Sequence, residues 1–477
     1  MVVGNIEEST QVAVIGSGTG GYVAAIRLAQ LGKEAVLISE DAKPGGVCLL
    51  KGCIPSKALI EVTRLKETLS GAEIMGLEVK GAKINVAKMQ SWRQGIVDKL
   101  SGGVSLLLKN HGVEHVVGRA RFTGPNQLQV QGESGIRNLK FEQAIIATGS
   151  RPRPLKGWDP DGKRLLTSTE ALTLTEIPEH LLVIGGGYIG LELCGVYRRL
   201  GSEITVVEAT DQLLPGLDPE LLRPLKKRLE EQKVTVHLNT LATAYSNQGK
   251  GLRVTLKNES QGEMPVDCSH VLIAVGRVPN SEDLGLEKLG LAPDEKGFIP
   301  VSPTCQTQVP HIYAIGDVAG GMMLAHKASR EGKVAAAHIA GEPDAFDNQV
   351  PAVIFTDPEI AYVGLSVPEA KAKGIETITG MFPFAALGRA LTLNDTTGFV
   401  KIIAEASTHR VIGVQMTGPH VSDLIAEATL ALEMGARLED IDLTIHAHPT
   451  LPEAVAEAAE AAFGMAIHRY QKRRIPK

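Results

Sequence analysis

Cysteine is scarce in this 477-residue chain, with five residues at positions 48, 53, 194, 268 and 305. An odd count without regular spacing excludes the disulfide framework of a small secreted protein. Basic charge is also short: 49 Lys and Arg against 54 Asp and Glu leave a net charge of −5. That balance argues against nucleic acid or an anionic membrane as partner. Long uncharged apolar runs are missing as well. The most apolar stretch, "LLVIGGGYIGLELCGVY", contains Glu192 and several glycines, so no membrane span is expected. The N-terminal "MVVGNIEEST" has neither a basic nor an apolar leader region. The chain reads as cytoplasmic, or as an organelle matrix or stroma protein from which a transit peptide has been removed.

What the chain does have is length, 43% hydrophobic residues and 51 glycines. That length exceeds one hydrophobic core and implies three or four domains. The glycines fit a protein rich in strand-to-helix turns.

Two of the few cysteines lie close together in "GGVCLLKGCIPSK", at Cys48 and Cys53. No second Cys/His pair stands near them at ligand spacing, so no metal site is expected. A redox couple is the favoured reading, because disulfides of reducing compartments are usually catalytic. On a regular helix residues five apart are separated by about 7.5 Å along the axis. A disulfide wants Cα atoms about 4.4–6.8 Å apart. A helix starting here must therefore be distorted; Gly52 permits that and Pro55 removes a hydrogen-bond donor.

One motif occurs twice. "QVAVIGSGTGG", "YVAAIRLAQLG" and "EAVLIS" read as strand, helix and strand, and "HLLVIGGGYIG", "LELCGVYRRLG" and "EITVVE" repeat the pattern. Each carries G-x-G-x-x-G, as Gly16, Gly18, Gly21 and as Gly185, Gly187, Gly190. The glycines serve a tight turn, close approach to a pyrophosphate and helix–strand packing. A single copy is weak evidence, whereas two in strand–turn–helix context are strong. Two sites imply two dinucleotides, and a redox disulfide suggests that one is a flavin.

The acid ending the second strand discriminates further. Glu208, eighteen residues after Gly190, is placed to accept from ribose hydroxyls. A 2′-phosphate there would meet a like charge, costing up to about 4 kcal/mol at about 4 Å and an effective dielectric near 20. NAD is favoured over NADP. In the first copy the equivalent position is Ser39, followed by Glu40. Either Glu40 moves into place through a bulge, or the Ser39 hydroxyl makes a weaker contact.

Further turn signals are scattered along the chain. "AIIATGS" carries Thr148 and Gly149, and its near-copy "VLIAVGRVPN" carries Ala274, Gly276 and Arg277. "HIYAIGDVAG" puts Asp317 at the end of a strand-like run, as a ligand for sugar hydroxyls or a simple turn residue. "LAHKASREGKVAAAHIAG" reads as a helix whose N-terminus, at Ala325, is suited to an electron-rich ring edge. After Pro351 the pattern becomes an antiparallel sheet with helices. There "LTIHAHPTLPEA" places His446 and His448 in alternation, with Glu453 five residues beyond His448. Thr450 to Glu453 fits a helix-opening capping box. The competing reading is a His448–Glu453 dyad acting as general base, which thiol chemistry needs because a free thiol with pKa about 8.5 is mostly protonated at neutral pH.

"GGVCLLKGCIPSKAL", the two glycine fingerprints, "IIATGSRP", "YAIGDVAG", "LAHKASREG", "FTDPEIAYVG" and "IHAHPTLPE" occur in an order that resembles the dihydrolipoamide dehydrogenases, among the flavoprotein disulfide reductases. The resemblance runs from about Gln11 to His468. It implies a glutathione-reductase-like α/β fold, with two Rossmann-like dinucleotide-binding domains and an α+β C-terminal dimerisation domain. The implied boundaries are 1–150 for FAD, 151–279 for NAD, 280–350 for a central domain completing the FAD site, and 351–477 for the interface domain. Cys48 would be the interchange thiol and Cys53 the thiolate beside the flavin. His448, steadied by Glu453 and supplied by the second copy of a homodimer, would move the substrate proton.

Lys57 would lie near the flavin and pair with Glu192, while Glu208 would select NAD. Implied FAD contacts are Gly16, Gly18, Gly21, Ser39, Glu40, Gly46, Lys57, Gly118, Thr148, Gly149, Asp317 and Ala325. Implied NAD contacts are Gly185, Gly187, Tyr188, Ile189, Gly190, Glu192, Glu208, Ala274, Gly276 and Arg277. The implied partners are lipoyl domains of 2-oxoacid dehydrogenase complexes or the glycine cleavage protein. Departures from the family pattern are Ser39, Val47 where threonine is common, and Leu49-Leu50-Lys51.

Overall fold

The computed structural model describes residues 8–133 and 135–471. The N-terminal stretch read as lacking a leader lies largely outside them. The chain forms two compact units: residues up to Glu176 with Ile273–Asp347, and Ile177–Leu272 with Asn348 onwards.

The first unit opens with strand β1 (Glu8–Ile15), helix α1 (Thr19–Gln30) and strand β2 (Ala35–Ser39). Helices α2 (Cys53–Ser70) and α3 (Val86–Asn110) follow. Then come β3 (Glu114–Val117), β4 (Arg119–Gly124), β5 (Gln127–Gly132) and β6 (Gly135–Ile146). The sheet order is β3-β2-β1-β6-β5-β4, with the short strand Ile312–Ala314 also on β6. β6 is long enough to serve two partners. Its first half pairs antiparallel with β5, and its second half pairs parallel with β1 and with Ile312–Ala314.

Strand alternation explains why these segments read as unbroken apolar runs. Val12, Val14, Leu37 and Ile145 join a core with Leu28 of α1 and with Val334 and Ile339 of the helix Ala325–Ala340. Their neighbours Ala13, Ile15, Ile38 and Ile146 join a second core with Phe122, Leu128 and Phe141 of the antiparallel strands. Each such fully buried Val, Ile or Leu is worth about 1.5–3 kcal/mol. The dinucleotide turn therefore hangs from a rigid two-sided sheet.

In the second unit the parallel strands His180–Ile184, Glu203–Val207 and Thr235–His237 lie side by side, with His270–Ile273 next to the first. The helix Tyr188–Leu200 follows the second glycine turn. A three-stranded antiparallel layer spans Thr240 to Cys268. The C-terminal part is an antiparallel five-stranded sheet, and its core includes residues of the helices Val421–Glu433 and Glu453–Ala462. The architecture is thus α/β with two Rossmann-like modules and an α+β C-terminal part. Among the described residues no helix is long and apolar enough to cross a membrane.

Candidate redox-active site

The cysteine pair sits on the distortion that the spacing demands. Val47–Lys51 forms one turn of π-helix, Gly52 breaks it at φ −146° and ψ −107°, and α2 starts at Cys53. Both cysteines are thiols. They share a side-chain hydrogen bond, which is the largest cause, followed by burial, of a Cys48 thiol pushed well above its ordinary range. The Lys57 ammonium and the Thr19 hydroxyl act in the opposite direction. Thr19 was not singled out from the sequence, although it directly follows Gly18 and opens α1.

This turn is fastened to the first dinucleotide loop. The Gly45 amide donates to the Ser17 carbonyl at 2.8 Å, and the Ser101 hydroxyl of α3 donates to the Pro44 carbonyl at 2.7 Å. A Cβ on Gly46 would lie 2.5 Å from the Gly18 Cα.

The glycines of the fingerprint divide into two kinds. Gly16 has φ +111°, and a Cβ there would lie 2.2 Å from the Ala147 carbonyl oxygen; one on Gly21 would lie 1.8 Å from the Gly16 oxygen. The protein itself requires both. Gly18, at φ −66°, has nothing within 4 Å of an added Cβ, and Gly187, at φ −77°, is equally open. Neither neighbours nor backbone conformation demand glycine at these two positions. An open cradle at a helix N-terminus without a side-chain cap fits a dinucleotide pyrophosphate.

The adenosine ends of the two turns differ. In the second unit the Glu208 carboxylate, though buried, accepts from the Gly186 amide at 2.7 Å and from the Thr210 amide at 2.9 Å. With the Thr210 hydroxyl also donating to it at 2.9 Å, it is held at the strand end, its Oε2 carrying only the Gly186 amide. In the first unit β2 pairs in regular register with β1 through Ile38 and with β3 through Ser39. Glu40 lies 3.7 Å from Arg119, both largely exposed. The Ser39 hydroxyl donates to the Asp41 carbonyl at 3.0 Å and meets the His115 Nε2 at 2.8 Å. The Gly118 amide closes this corner on the Ser39 carbonyl at 2.8 Å.

Asp317 lies in the turn Gly316–Ala319, where its carboxylate accepts from the Ser150 hydroxyl. Ser150 in turn accepts from the Arg277 Nε at 2.7 Å, and its carbonyl accepts from the Arg277 Nη2 at 2.6 Å. Thr148 and Asn280 exchange hydrogen bonds of 2.6 and 2.9 Å beside it, next to Gly149. Arg277, expected at the NAD site, is thus engaged with the Asp317 cluster of the first unit, a pairing that sequence order hides. Ser150, which the sequence reading passed over, is the hinge of that cluster. Gly316 donates to the Glu331 carboxylate at 2.7 Å, and Glu331 pairs with the buried Lys327. Ala325 is the first residue of its helix, and the N-cap Leu324 offers no side-chain cap.

Within the second unit, Tyr188 and Ile189 open the helix after Gly187, and Gly190 is buried against it. The Glu192 carboxylate accepts from the Phe355 amide at 3.0 Å. Ala274 and Gly276 follow the strand His270–Ile273, Gly276 with φ +107°.

His448 and Glu453 form a dyad. The His448 Nδ1 lies 2.8 Å from Glu453 Oε1, while Glu453 Oε2 accepts from the Thr450 amide at 2.7 Å. The expected capping box does not form: the helix starts at Glu453 after Pro452 without a side-chain cap, and the Thr450 hydroxyl donates to Ala447, so Glu453 holds only the Thr450 amide with one oxygen and orients the ring with the other. Burial works against ionisation, but the Thr450 amide and the His448 ring outweigh it and hold the Glu453 carboxyl below its ordinary range. The His448 side chain is 79% exposed, with Nε2 left for another molecule. Among the described residues no group of three or more His, Cys, Asp or Glu could hold a metal ion.

The chain matches the pyridine nucleotide-disulphide oxidoreductase family over residues 10–332 and that family's dimerisation domain over residues 350–459. It is 47% identical over 472 residues to a protein of Haloarcula marismortui named dihydrolipoyl dehydrogenase 2, covering 98% of this chain and 100% of the relative. It is 47% identical over 470 residues to the dihydrolipoyl dehydrogenase of Geobacillus stearothermophilus, covering 98% and 99%. With that of Thermus scotoductus the identity is 50% over 459 residues, covering 95% and 98%. Among solved structures it is similar to LpdA of Mycobacterium tuberculosis, with a TM-score of 0.88 and 30% identity over 94% of this chain and 99% of that one. It is also similar to the HOCl-induced flavoprotein disulfide reductase RclA of Escherichia coli, with a TM-score of 0.84 and 26% identity over 94% and 99%.

Proposed function

Because this chain belongs to the pyridine nucleotide-disulphide oxidoreductase family, we propose that it is a dihydrolipoyl dehydrogenase: it oxidises dihydrolipoyl groups to lipoyl groups and reduces NAD+. The observation that carries this reading is the thiol pair at Cys48 and Cys53, hydrogen-bonded to one another on a turn fastened to a dinucleotide loop. The residues fit FAD at the first turn, with Gly18 as the open cradle, Asp317 for sugar hydroxyls and Lys57 beside the sulfurs. They fit NAD at the second, with Gly187 as cradle and Glu208 opposing a 2′-phosphate.

The chemistry starts from the oxidised enzyme, with Cys48 and Cys53 joined. His448 takes the proton of one substrate thiol, and Glu453 holds the ring so that Nε2 is the accepting nitrogen. The resulting thiolate attacks the Cys48 sulfur and expels Cys53 as thiolate. The second substrate thiol attacks the substrate sulfur bound to Cys48, and the Cys48 thiolate it displaces takes up that thiol's proton as lipoyl disulfide leaves. Two electrons and two protons have left the substrate, and the enzyme holds a Cys48 thiol, a Cys53 thiolate and a protonated His448. When bound at the first turn by Gly18 and Asp317, FAD would supply the two-electron acceptor for these thiols, and NAD+ held at Gly187 and Glu208 would supply the final hydride acceptor.

Several observations support assigning these roles. Cys53 as leaving group agrees with its place at the first residue of α2, beside the Lys57 ammonium that favours thiolate at this sulfur pair. His448 and Glu453 fall inside the segment that matches the dimerisation domain, in keeping with a homodimer in which the second copy brings the base. Lipoyl domains of 2-oxoacid dehydrogenase complexes or of the glycine cleavage system are the physiological thiol donors in this reading.

The test is rapid titration of the FAD-loaded dimer with dihydrolipoamide and with NADH, followed in the visible spectrum. Dihydrolipoamide should reduce the flavin of the native chain and fail to do so with Cys48→Ala, while NADH reduces both. Turnover of glutathione disulfide with inactivity toward lipoamide would overturn the assignment.

A further inference from the structure

We propose that His446 is the positioning residue of the base: clamped to Glu427, it pins the segment that carries His448. The inference rests on the reading of His448 as the proton acceptor. Between the helices Leu438–Asp442 and Glu453–Ala462 the chain has no helix or strand. Its ends are held by backbone bonds into the preceding helix and by Leu451 buried in the core, and side-chain hydrogen bonds secure the stretch between. The Thr444 hydroxyl donates to the Asp440 carbonyl at 2.7 Å at one end of this stretch. At the other, the Thr450 hydroxyl donates to the Ala447 carbonyl at 2.6 Å. The first ties the start of the segment to the preceding helix, and the second is internal to the segment and would move with it.

His446 is different. Its Nδ1 lies 2.8 Å from the Thr444 carbonyl oxygen, and its Nε2 lies 2.7 Å from Glu427 Oε1. Glu427 belongs to the helix Val421–Glu433, whose Leu424, Ile425, Ala428 and Leu432 are set in the core of the C-terminal sheet. The His446 side chain is only 7% exposed, whereas its neighbour Ile445 is 97% exposed and offers no anchorage. Both ring nitrogens face an oxygen acceptor, which fixes the plane of the ring as well as its place. Two residues on, His448 projects into solvent from a backbone whose connection to the fixed helix runs through that ring. Glu453 sets the rotation of His448 about its own bonds, and His446 sets where the backbone beneath it stands.

The experiment compares Glu427→Ala, Glu427→Gln and His446→Asn in the full-length FAD-loaded dimer. Three quantities are followed: flavin reduction by dihydrolipoamide, NADH oxidation by ferricyanide, and the NMR titration of His448 with histidine-labelled protein. Glu427→Ala and His446→Asn should slow the dithiol step by about 10- to 100-fold, the scale of a misplacement of about 1 Å, with the ferricyanide rate unchanged. The His448 titration should shift in both variants. Glu427→Gln keeps a hydrogen-bond acceptor for the ring and should restore most of the rate. Equal loss of both rates, or an unmoved His448 titration, would overturn the proposal. A native chain that does not react with dihydrolipoamide would instead count against the assigned substrate, while the His448 titration would still decide whether His446 is the pin.

Discussion

Gly46 and Gly18 press the redox turn against the dinucleotide loop, with only 2.5 Å between an added Cβ at position 46 and the Gly18 Cα. Gly46 also adopts φ +58° and ψ −158°, a region essentially restricted to glycine. Gly46→Ala therefore meets both backbone strain and a rigid backbone neighbour. We expect a loss of about 1–3 kcal/mol, with the redox turn lifted from the loop. Thermal unfolding should show a lower Tm, and gel filtration should show release of FAD. Full retention of both would mean that the two turns separate at no cost.

Gly18→Ala and Gly187→Ala should behave in the opposite way. Neither Cβ meets an atom within 4 Å, and both residues have φ values that alanine adopts freely. The apoprotein Tm should therefore be unchanged. Binding should fall at the corresponding site by about tenfold, equivalent to about 1.4 kcal/mol. Fluorescence titration with FAD for the first variant and NADH for the second checks this. A parallel fall in apoprotein stability would show that the glycine serves the fold instead.

Much of this was legible in the sequence because the informative signals are local. The two glycine turns, their flanking strands and the helix break at Gly52 are all set by residues within a few positions of each other. The His448–Glu453 dyad was legible for the same reason. What escaped was assembled across the chain. Ser150, Asp317 and Arg277 form one hydrogen-bonded cluster only because the strand Ser150–Pro152 pairs with Arg277–Pro279. Likewise, Ser39 meets His115 only because β2 pairs with β3, a register that spacing cannot reveal.

Glu208→Gln should alter nucleotide choice more than stability. The carboxylate holds the Gly186 and Thr210 amides, and the glutamine oxygen can keep one of those contacts. What it loses is the negative charge that opposes a 2′-phosphate. The kcat/KM ratio of NADP+ to NAD+ should rise by about tenfold, for a change of about 1.4 kcal/mol. Glu208→Ala should raise the same ratio but lower Tm, because the buried Gly186 amide left without a partner costs about 1–3 kcal/mol. An unchanged ratio in both variants would remove Glu208 from nucleotide selection.

Glu460, in the last helix, gives the C-terminal unit a stability that declines with rising pH. Burial, followed by a hydrogen bond with Asp442 and the charge of Glu457, pushes its carboxyl up to about 7. An unfolded glutamate titrates near 4.3, so folding takes up a proton between that value and about 7. The stabilisation is complete below the unfolded value and is lost as pH rises through the folded one. Glu460→Gln keeps a neutral donor toward Asp442 at every pH. Its Tm should therefore match the native protein at mildly acidic pH and exceed it at pH above neutrality, as followed by scanning fluorimetry across that range. A variant less stable than the native chain at alkaline pH would show that the carboxylate is stabilising there, and that Asp442 and Glu457 do not oppose its ionisation.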